Sequence, residues 1–266
     1  MTTQAVISEL HELEELHELE DLFAAIWQSP EEPPVKADIL RAFSHSGNYV
    51  VAARVGKRMV GGLVGWLGGT ARDLHMHSHI LGIVADSQVQ GLGFELKQHQ
   101  RLWCLDRDVK VMEWTTDPLV RRNAYFNLHK LGANARDYLV NFYGVMSDGL
   151  NAGEESDRLL ISWQLDSTRA AAAAAGQAAE PDLDELISAG AGAVLSVGAE
   201  GEPVELASSA RVLICQVPED VVELRRTDSA MARSWRLALR RALGDAFAGG
   251  YRITGATRAG WYILEG

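Results

Sequence analysis

Apolar residues in the first part of the chain follow a helical period and then a strand period. Residues 5–8 predict a short strand, and between Leu10 and Ile26 apolar residues recur three or four positions apart, which is the spacing of an amphipathic helix. The opposite face of this helix is strongly acidic, and we interpret it as a solvated surface. Three prolines between residues 30 and 34 end the helix, because proline lacks a backbone donor and restricts its neighbour.

Strands and helices alternate from there to about residue 165. A short helix at 38–43 precedes a β-hairpin, whose strands at 49–55 and 59–67 flank the turn 56–58. The elements predicted next are a strand at 78–84, a helix at 94–105, a strand at 110–116, a helix at 118–130, and strands at 138–143 and 158–165.

The helix at 118–130 carries the usual signals at both ends. Asp117 is interpreted as its N-cap, Pro118 stands in its first turn, and Gly132 lies just past its end.

An alanine-rich run at 169–180 interrupts the alternation. A helix of alanine has no apolar stripe to bury, so we interpret the run as a linker. The elements predicted beyond it are a strand at 211–217, a helix at 228–247, and a closing strand pair at 251–254 and 260–264.

These elements predict three parts: a core of residues 1–167, an alanine-rich linker of residues 168–182, and a smaller α/β extension of residues 183–266. The fold class is α/β, or α+β, with one main sheet in the core.

Composition and charge narrow the classes of protein. The chain has 266 residues, 47% of them hydrophobic and 23% charged, which is typical of a globular protein. Its two cysteines, Cys104 and Cys215, lie far apart, which argues against a disulfide scaffold or a cysteine zinc site. The N-terminal residues do not resemble a signal peptide, and no apolar run approaches the roughly 18 residues of a membrane span. We therefore expect a soluble protein of the cytoplasm that does not bind membranes.

The net charge of −11, from 36 acidic and 25 basic residues, argues against nucleic acid as a partner. A phosphate-bearing ligand would have to be held by local geometry instead. The segment after the strand at 78–84 offers such geometry, because glycines there lead directly into a helix. Backbone N–H groups at a glycine-rich turn and a helix N-terminus form an anion cradle. The residues of this loop are Gln88, Val89, Gln90, Gly91, Leu92 and Gly93.

At this point the chain resembles the GNAT superfamily of acyl-CoA N-acyltransferases. The loop matches that family's Gln/Arg-x-x-Gly-x-Gly/Ala pattern, and Asn123 with Ala124, followed by Lys130-Leu131-Gly132, matches its later segment. The resemblance spans residues 5 to about 165. Within the superfamily, the chain is similar to a bacterial group of predicted acetyltransferases. It implies a mixed, mainly antiparallel twisted sheet flanked by helices.

The resemblance also implies a cofactor, acetyl-CoA or another acyl-CoA such as succinyl-CoA. The backbone of Ile83, Val84 and Ala85 would pair with the pantetheine arm, and the loop 88–93 would hold the pyrophosphate. Asn123 and Phe126 would line the arm from the other side.

The chain departs from the family at the general acid. The tyrosine that many members use falls at Leu128 here. That role is therefore vacant or is filled by Tyr125 or Tyr143.

The general base is argued from strand alternation. His75, His77 and His79 should share one face with Leu81 and Ile83. An imidazole, or the carboxylate of Glu113 on the next strand acting through water, can take a proton from an ammonium group at neutral pH. His77 is placed ahead of His79, and a bulge in the strand would reverse that order.

Other interpretations of these residues stay open. Three imidazoles could bind zinc, although without a further carboxylate or cysteine pattern we predict no metal. An edge histidine can also simply face water. Trp66, Trp103 and Trp114 are interpreted as core residues.

The function predicted is transfer of an acyl group from acyl-CoA to a primary amine, of a small molecule or an amino acid, by direct attack in a ternary complex. The alternative is a catalytically inactive CoA-binding sensor or assembly module, and a histidine metalloprotein is a third. The extension could cap the acceptor site or form a homodimer contact.

Overall fold

The structure, a computed structural model, describes residues 4–70, 72–87, 89–144 and 155–266. Their contacts divide them into two compact units. The first comprises residues up to 114 together with 164–166, and the second comprises the remaining residues from 115 onward.

The first unit is built on a mainly antiparallel sheet. Its strands, each paired with the next, are β1 (Val6–Glu9), β2 (Tyr49–Val55), β3 (Arg58–Gly68), β4 (His75–Ile83) and the start of β5 (Val111–Thr116). All pairs are antiparallel except β4 with β5, which is parallel. Its helices are α1 (Leu13–Trp27), α2 (Ala37–His45) and α3 (Leu92–Leu105).

A continuous apolar core joins α1 and α2 to one face of this sheet. Leu16, Leu19 and Phe23 of α1 and Leu40 of α2 are fully buried there, together with Val64 of β3. Burying a leucine or phenylalanine side chain contributes about 1.5–3 kcal/mol, so this face anchors the sheet.

The second unit has a seven-stranded sheet in the order β7-β6-β11-β12-β10-β8-β9. Its strands are β6 (Asn134–Leu139), β7 (Arg158–Gln164), β8 (Gly192–Val197), β9 (Pro203–Glu205), β10 (Val212–Gln216), β11 (Arg252–Ala256) and β12 (Trp261–Glu265). Its helices are α4 (Arg121–Ala124), which continues as a π-helix over Tyr125–Lys130, α5 (Thr168–Ala174), α6 (Leu183–Ser188), α7 (Val221–Thr227) and α8 (Ser229–Ala248).

The fold class predicted from the sequence is confirmed. The hairpin, the helices that became α1, α3 and α8, and the closing strand pair all form, and the sheets are mixed and mainly antiparallel. Gly132 has φ +71°, as expected for a glycine just past a helix end. Within the described ranges, no helix is both long enough and apolar enough to cross a membrane.

Two local predictions on either side of α4 were wrong. Asp117 is not an N-cap, because the helix begins at Arg121 and the Asp117 carboxylate binds arginines of the extension. The strand predicted at 138–143 lies at Asn134–Leu139 instead, since Asn141 takes a left-handed φ of +47° that ends extended structure.

The alanine-rich run is partly helical. Ser167 caps α5 by accepting a hydrogen bond from the Ala170 N–H at 3.2 Å, and the methyl groups of Ala170 and Ala173, three residues apart, are buried. Arg169 fixes the helix further by donating to the carbonyl oxygen of Leu128 at 2.6 Å. Because its side chains are small, this helix can pack closely against its neighbours. It does not need the apolar stripe that we had assumed a buried helix requires.

The docking of α5 predicts where proteolysis occurs. Elastase, which cleaves after small residues in extended segments, should cut within 175–181 before it cuts within 168–174, because only the latter is helical and packed. Timed digestion with mass analysis of the fragments checks this. Early cleavage inside 168–174 would show that α5 is not docked in solution and that the whole run acts as a linker.

Candidate active site

A β-bulge interrupts β4 at the candidate base. On the partner strand, Val64 pairs with Ile80 and Gly65 pairs with Ser78, so His79 is an extra residue without a partner on β3. A bulge of this kind reorients the side chains that follow it along the strand.

The bulge changes which residues share a face. Ser78 points toward α3, where it contacts Lys97, whereas Ile80, two residues on, packs into the core with α1 and α2. Beyond the bulge, a Cβ built on Gly82 would stand 2.8 Å from Trp27 of α1, and Ile83 reaches the start of α3 instead. The prediction that the three histidines share a face with Leu81 and Ile83 was therefore wrong.

The histidine rings gather around Trp66 on the side of α2. Ring centroids of His77 and His79 lie 4.6 and 4.7 Å from that of Trp66, which also stacks on Phe43 of α2 at 5.0 Å. Trp66 is half-buried, while Trp103 and Trp114 are buried as core residues. Among the described residues, no group of three or more histidines, cysteines or carboxylates is placed to hold a metal ion.

The two imidazoles differ in environment. Burial lowers the pKa of His77 to about 4, and the charges of His79, His75 and Lys97 act in the same direction, against Glu113. His79 is more exposed to solvent than His77, but partial burial still lowers its pKa. Both rings are therefore neutral at pH 7, as a proton acceptor must be.

Strands β4 and β5 part directly beyond these residues. Among the described residues they pair only at Met76 with Met112 and at His77 with Glu113. We call the point where this pairing ends, at Ser78 on β4 and Trp114 on β5, the fork. Glu113 lies opposite His77 at the last pair before the fork.

The backbone beyond the fork has one edge free of β3. The Val84 N–H donates to the carbonyl oxygen of Val60 at 3.0 Å, so the groups of Ile83 and Ala85 point to the other edge of the strand by alternation. Before the fork, β5 pairs with β4 along this same edge. Beyond the fork, an extended ligand could pair with it.

The loop after this edge ends at an uncapped helix. Gly91, the N-cap of α3, has φ +79°, and no side chain among the described residues caps the helix. A Cβ built on Gly91 would meet no described atom within 4 Å, so the space beside the start of α3 is open at this residue. Val89, Gln90, Leu92 and Gly93 belong to the same turn, whereas Gln88 lies outside the described residues.

The residues predicted on the later segment lie in the second unit. Asn123 is exposed on α4 and Phe126 is half-buried in the π-helix. The Tyr125 hydroxyl donates to Glu180 at 3.2 Å, and the Tyr143 hydroxyl shares a hydrogen bond with Thr115 Oγ1 at 2.9 Å. Leu128, where the family tyrosine would fall, is fully buried.

No family model and no curated protein matches the sequence, but solved structures do. An aminoglycoside 6'-N-acetyltransferase from Enterococcus faecium is 17% identical, with 61% of this chain and 98% of that one covered and a TM-score of 0.46. A GNAT-family acetyltransferase from Streptococcus pneumoniae is 12% identical, covering 60% and 98%, with a TM-score of 0.48. Naa50 of Arabidopsis thaliana, solved in complex with a bisubstrate analogue, is 17% identical, covering 59% and 97%, with a TM-score of 0.47.

Sequence reasoning missed the burial of Lys97 in the first unit. Lys97 is 4% exposed although its residue type suggested the solvent face of α3. Its spacing from Leu96, Gln100, Trp103 and Cys104, all buried on the same helix, could have indicated its position.

Proposed function

We propose that this chain transfers an acetyl or other short acyl group from acyl-CoA to a primary amine of a small molecule or an amino acid. The observation that carries the proposal is the edge at Ile83 and Ala85, which no described strand pairs with on that side, followed by α3, whose N-terminus no described side chain caps. A strand edge suits the amide groups of a pantetheine arm, and a helix N-terminus suits a pyrophosphate.

The chain's own residues supply binding and proton transfer. The N–H groups from Val89 to Gly93 are proposed to hold the pyrophosphate, with Asn123 and Phe126 contacting the arm. Bound acyl-CoA would supply an activated thioester, and the amine attacks it only in its neutral form. A proton must therefore leave the ammonium group, and the imidazoles of His77 and His79 are proposed to accept it.

His79 is proposed as the base ahead of His77. The bulge gives His79 a position of its own on β4 and leaves its ring accessible, whereas the low pKa of His77 makes that ring a poor proton acceptor. Glu113 is the carboxylate alternative. Tyr125 and Tyr143 remain the proposed acids for the departing thiol, and both hydroxyls are ordered by hydrogen bonds.

A screen tests the function as a whole. A panel of primary amines, including amino acids, is incubated with acetyl-CoA or succinyl-CoA, and free thiol is measured over time. Amine-dependent thiol release supports the transferase. Tight CoA binding without release by any amine would instead support the CoA-binding module.

Gly91 gives a sharper test of the loop. Gly91→Val should weaken CoA binding more than tenfold, about 1.4 kcal/mol, because a branched side chain would fill the open space over the α3 N-terminus. Isothermal titration calorimetry measures the affinity.

Valine at a positive φ also strains the backbone, so a matched control is needed. Gly47 has the same φ of +79° and open space around it, but it lies in the turn after α2. Gly47→Val should keep CoA affinity unchanged. Equal affinity in both variants would remove the loop from the site.

A further inference from the structure

A buried polar cluster lies behind the bulge, between α3 and the sheet. Lys97 Nζ donates to Ser78 Oγ at 2.8 Å, and Ser78 Oγ donates to Gln100 Oε1 at 2.7 Å. Lys97 Nζ also lies 3.7 Å from Met112 Sδ and 3.7 Å from the centroid of the Trp114 ring. All of these contacts are to neutral groups.

The cluster lies at the fork. Ser78 and Trp114 are the first residues of β4 and β5 beyond their last pair, and Lys97 Nζ contacts both of them. A primary amine therefore stands at the point where the two strands part. Ser78 belongs to the same strand, β4, that continues into the edge at Ile83 and Ala85 that we propose for the pantetheine arm.

Among the described residues Lys97 has no carboxylate partner, and burial drives such an amine toward its neutral form. Removing an ammonium group from water is costly, and burial lowers the pKa of Lys97 to about 7. At pH 7 the neutral fraction of such an amine is roughly a thousandfold that of an ordinary lysine. Only the neutral amine has the lone pair needed for nucleophilic attack.

We propose that Lys97 is an internal acylation site, which takes the acyl group from bound acyl-CoA when no acceptor amine is present. This proposal rests on the proposed function, because acyl-CoA must bind at the fork. The lone pair of Nζ attacks the thioester carbonyl carbon, the carbon–sulfur bond breaks, and an amide forms on Nζ. The proton lost from the nitrogen goes to the departing thiolate, which leaves as free CoA, so no further reactant is needed.

The amide would place the acyl group permanently at the fork. The modified protein should then lose transfer activity, because the acyl group on Nζ would occupy the position proposed for the donor's acyl group. Acylation of Lys97 would thus show that a protein molecule had bound acyl-CoA in the absence of an acceptor amine.

The experiment maps acylation without acceptor. The full chain is incubated with acetyl-CoA alone, and peptide mass analysis follows the acyl increment on Lys97 and on the exposed lysines Lys36 and Lys57. Acylation of Lys97 should saturate with acetyl-CoA concentration and should greatly exceed that of the exposed lysines. Its rate should rise from pH 6 to about pH 8 and then level off, whereas an ordinary lysine continues to gain reactivity toward pH 10.

Two variants and a measurement of CoA binding distinguish failure of the internal acylation site from failure of the proposed function. Gly91→Val should lower Lys97 acylation in proportion to CoA affinity and leave the exposed lysines unaffected, and Lys97→Arg should remove the label because a guanidinium is not nucleophilic. If calorimetry shows CoA binding but Lys97 is acylated no faster than Lys57, the internal site is wrong and the proposed function stands. If CoA does not bind, both proposals are overturned.

Discussion

Replacing His79 by alanine is expected to lower kcat on the order of 100-fold while CoA affinity stays within a factor of about two. General-base catalysis typically contributes 10²–10⁴-fold, and the imidazole at the β4 bulge is the group proposed to supply it. The substitution leaves in place the cofactor contacts proposed here, which are made by backbone atoms of Ile83, Ala85 and the loop and by Asn123 and Phe126. Steady-state kinetics with an amine found in the screen, together with calorimetry, measures the two quantities separately.

His75→Ala is the matched control, because it removes an imidazole from the start of the same strand. It should keep kcat close to that of the unmodified protein. Glu113→Gln and His77→Ala complete the set. Full activity of His79→Ala together with a large loss in one of these would transfer the role of base to that residue.

The pH profile distinguishes the two histidines further. A base must be unprotonated, so activity is lost as pH falls through its pKa. If His77 were the base, the acid limb would lie near pH 4, where burial places its pKa. If His79 is the base, the limb should lie below the usual imidazole value near 6.5, because burial lowers its pKa as well, and a limb clearly above pH 4 would exclude His77.

The sequence predicted the elements around the site better than the directions of its side chains. Periodicity and glycine spacing were enough to predict β4, the loop and α3, since these patterns are local. One extra residue at His79 then reversed the faces of the strand, and nothing in the residues near it indicates a bulge. Strand alternation therefore failed at the position where the candidate chemistry lies.

The burial of polar side chains was the second feature that could not be predicted from the sequence. Lys97 and Asp117 both have residue types that predict solvent exposure, and each is buried by a partner distant in sequence. The two arginines that hydrogen-bond the Asp117 carboxylate, Arg225 and Arg236, lie more than one hundred residues further along the chain, so no local pattern could reveal them. The alanine run shows the same limit, because α5 is stabilised by Arg169 and by close packing rather than by its own periodicity.

Replacing Asp117 by alanine is expected to cost about 3–5 kcal/mol of unfolding free energy, the usual effect of removing one partner from a buried ion pair. Arg225 of α7 donates to its carboxylate at 2.5 Å and Arg236 of α8 at 3.0 Å, and Arg158 of β7 lies 3.7 Å away. The carboxylate and the first two guanidinium groups are almost fully buried. The substitution would leave these charges in the interior of the second unit without the carboxylate that they share.

Chemical denaturation measures the loss, and Glu223→Ala is the matched control. Glu223 forms an ion pair with Arg226 on the exposed face of the same α7, where such a pair contributes about 0–1 kcal/mol. A loss below about 1 kcal/mol in Asp117→Ala would show that the arginines do not depend on this carboxylate.

Lowering the pH tests the same ion pairs with the variant Asp117→Asn, whose side chain has nearly the same volume as that of aspartate. Burial alone would raise the pKa of Asp117, but Arg236 and Arg225 outweigh it, and the pKa lies below its usual value. A carboxyl group with a lowered folded-state pKa contributes stability above its unfolded pKa, near 3.9, and that contribution is lost as pH falls through the folded pKa. The stability difference between the unmodified protein and Asp117→Asn should therefore be constant from pH 7 to about 5 and should narrow below pH 4. A difference that stays constant into the acid range would mean that the variant loses packing or hydrogen-bond geometry rather than charge.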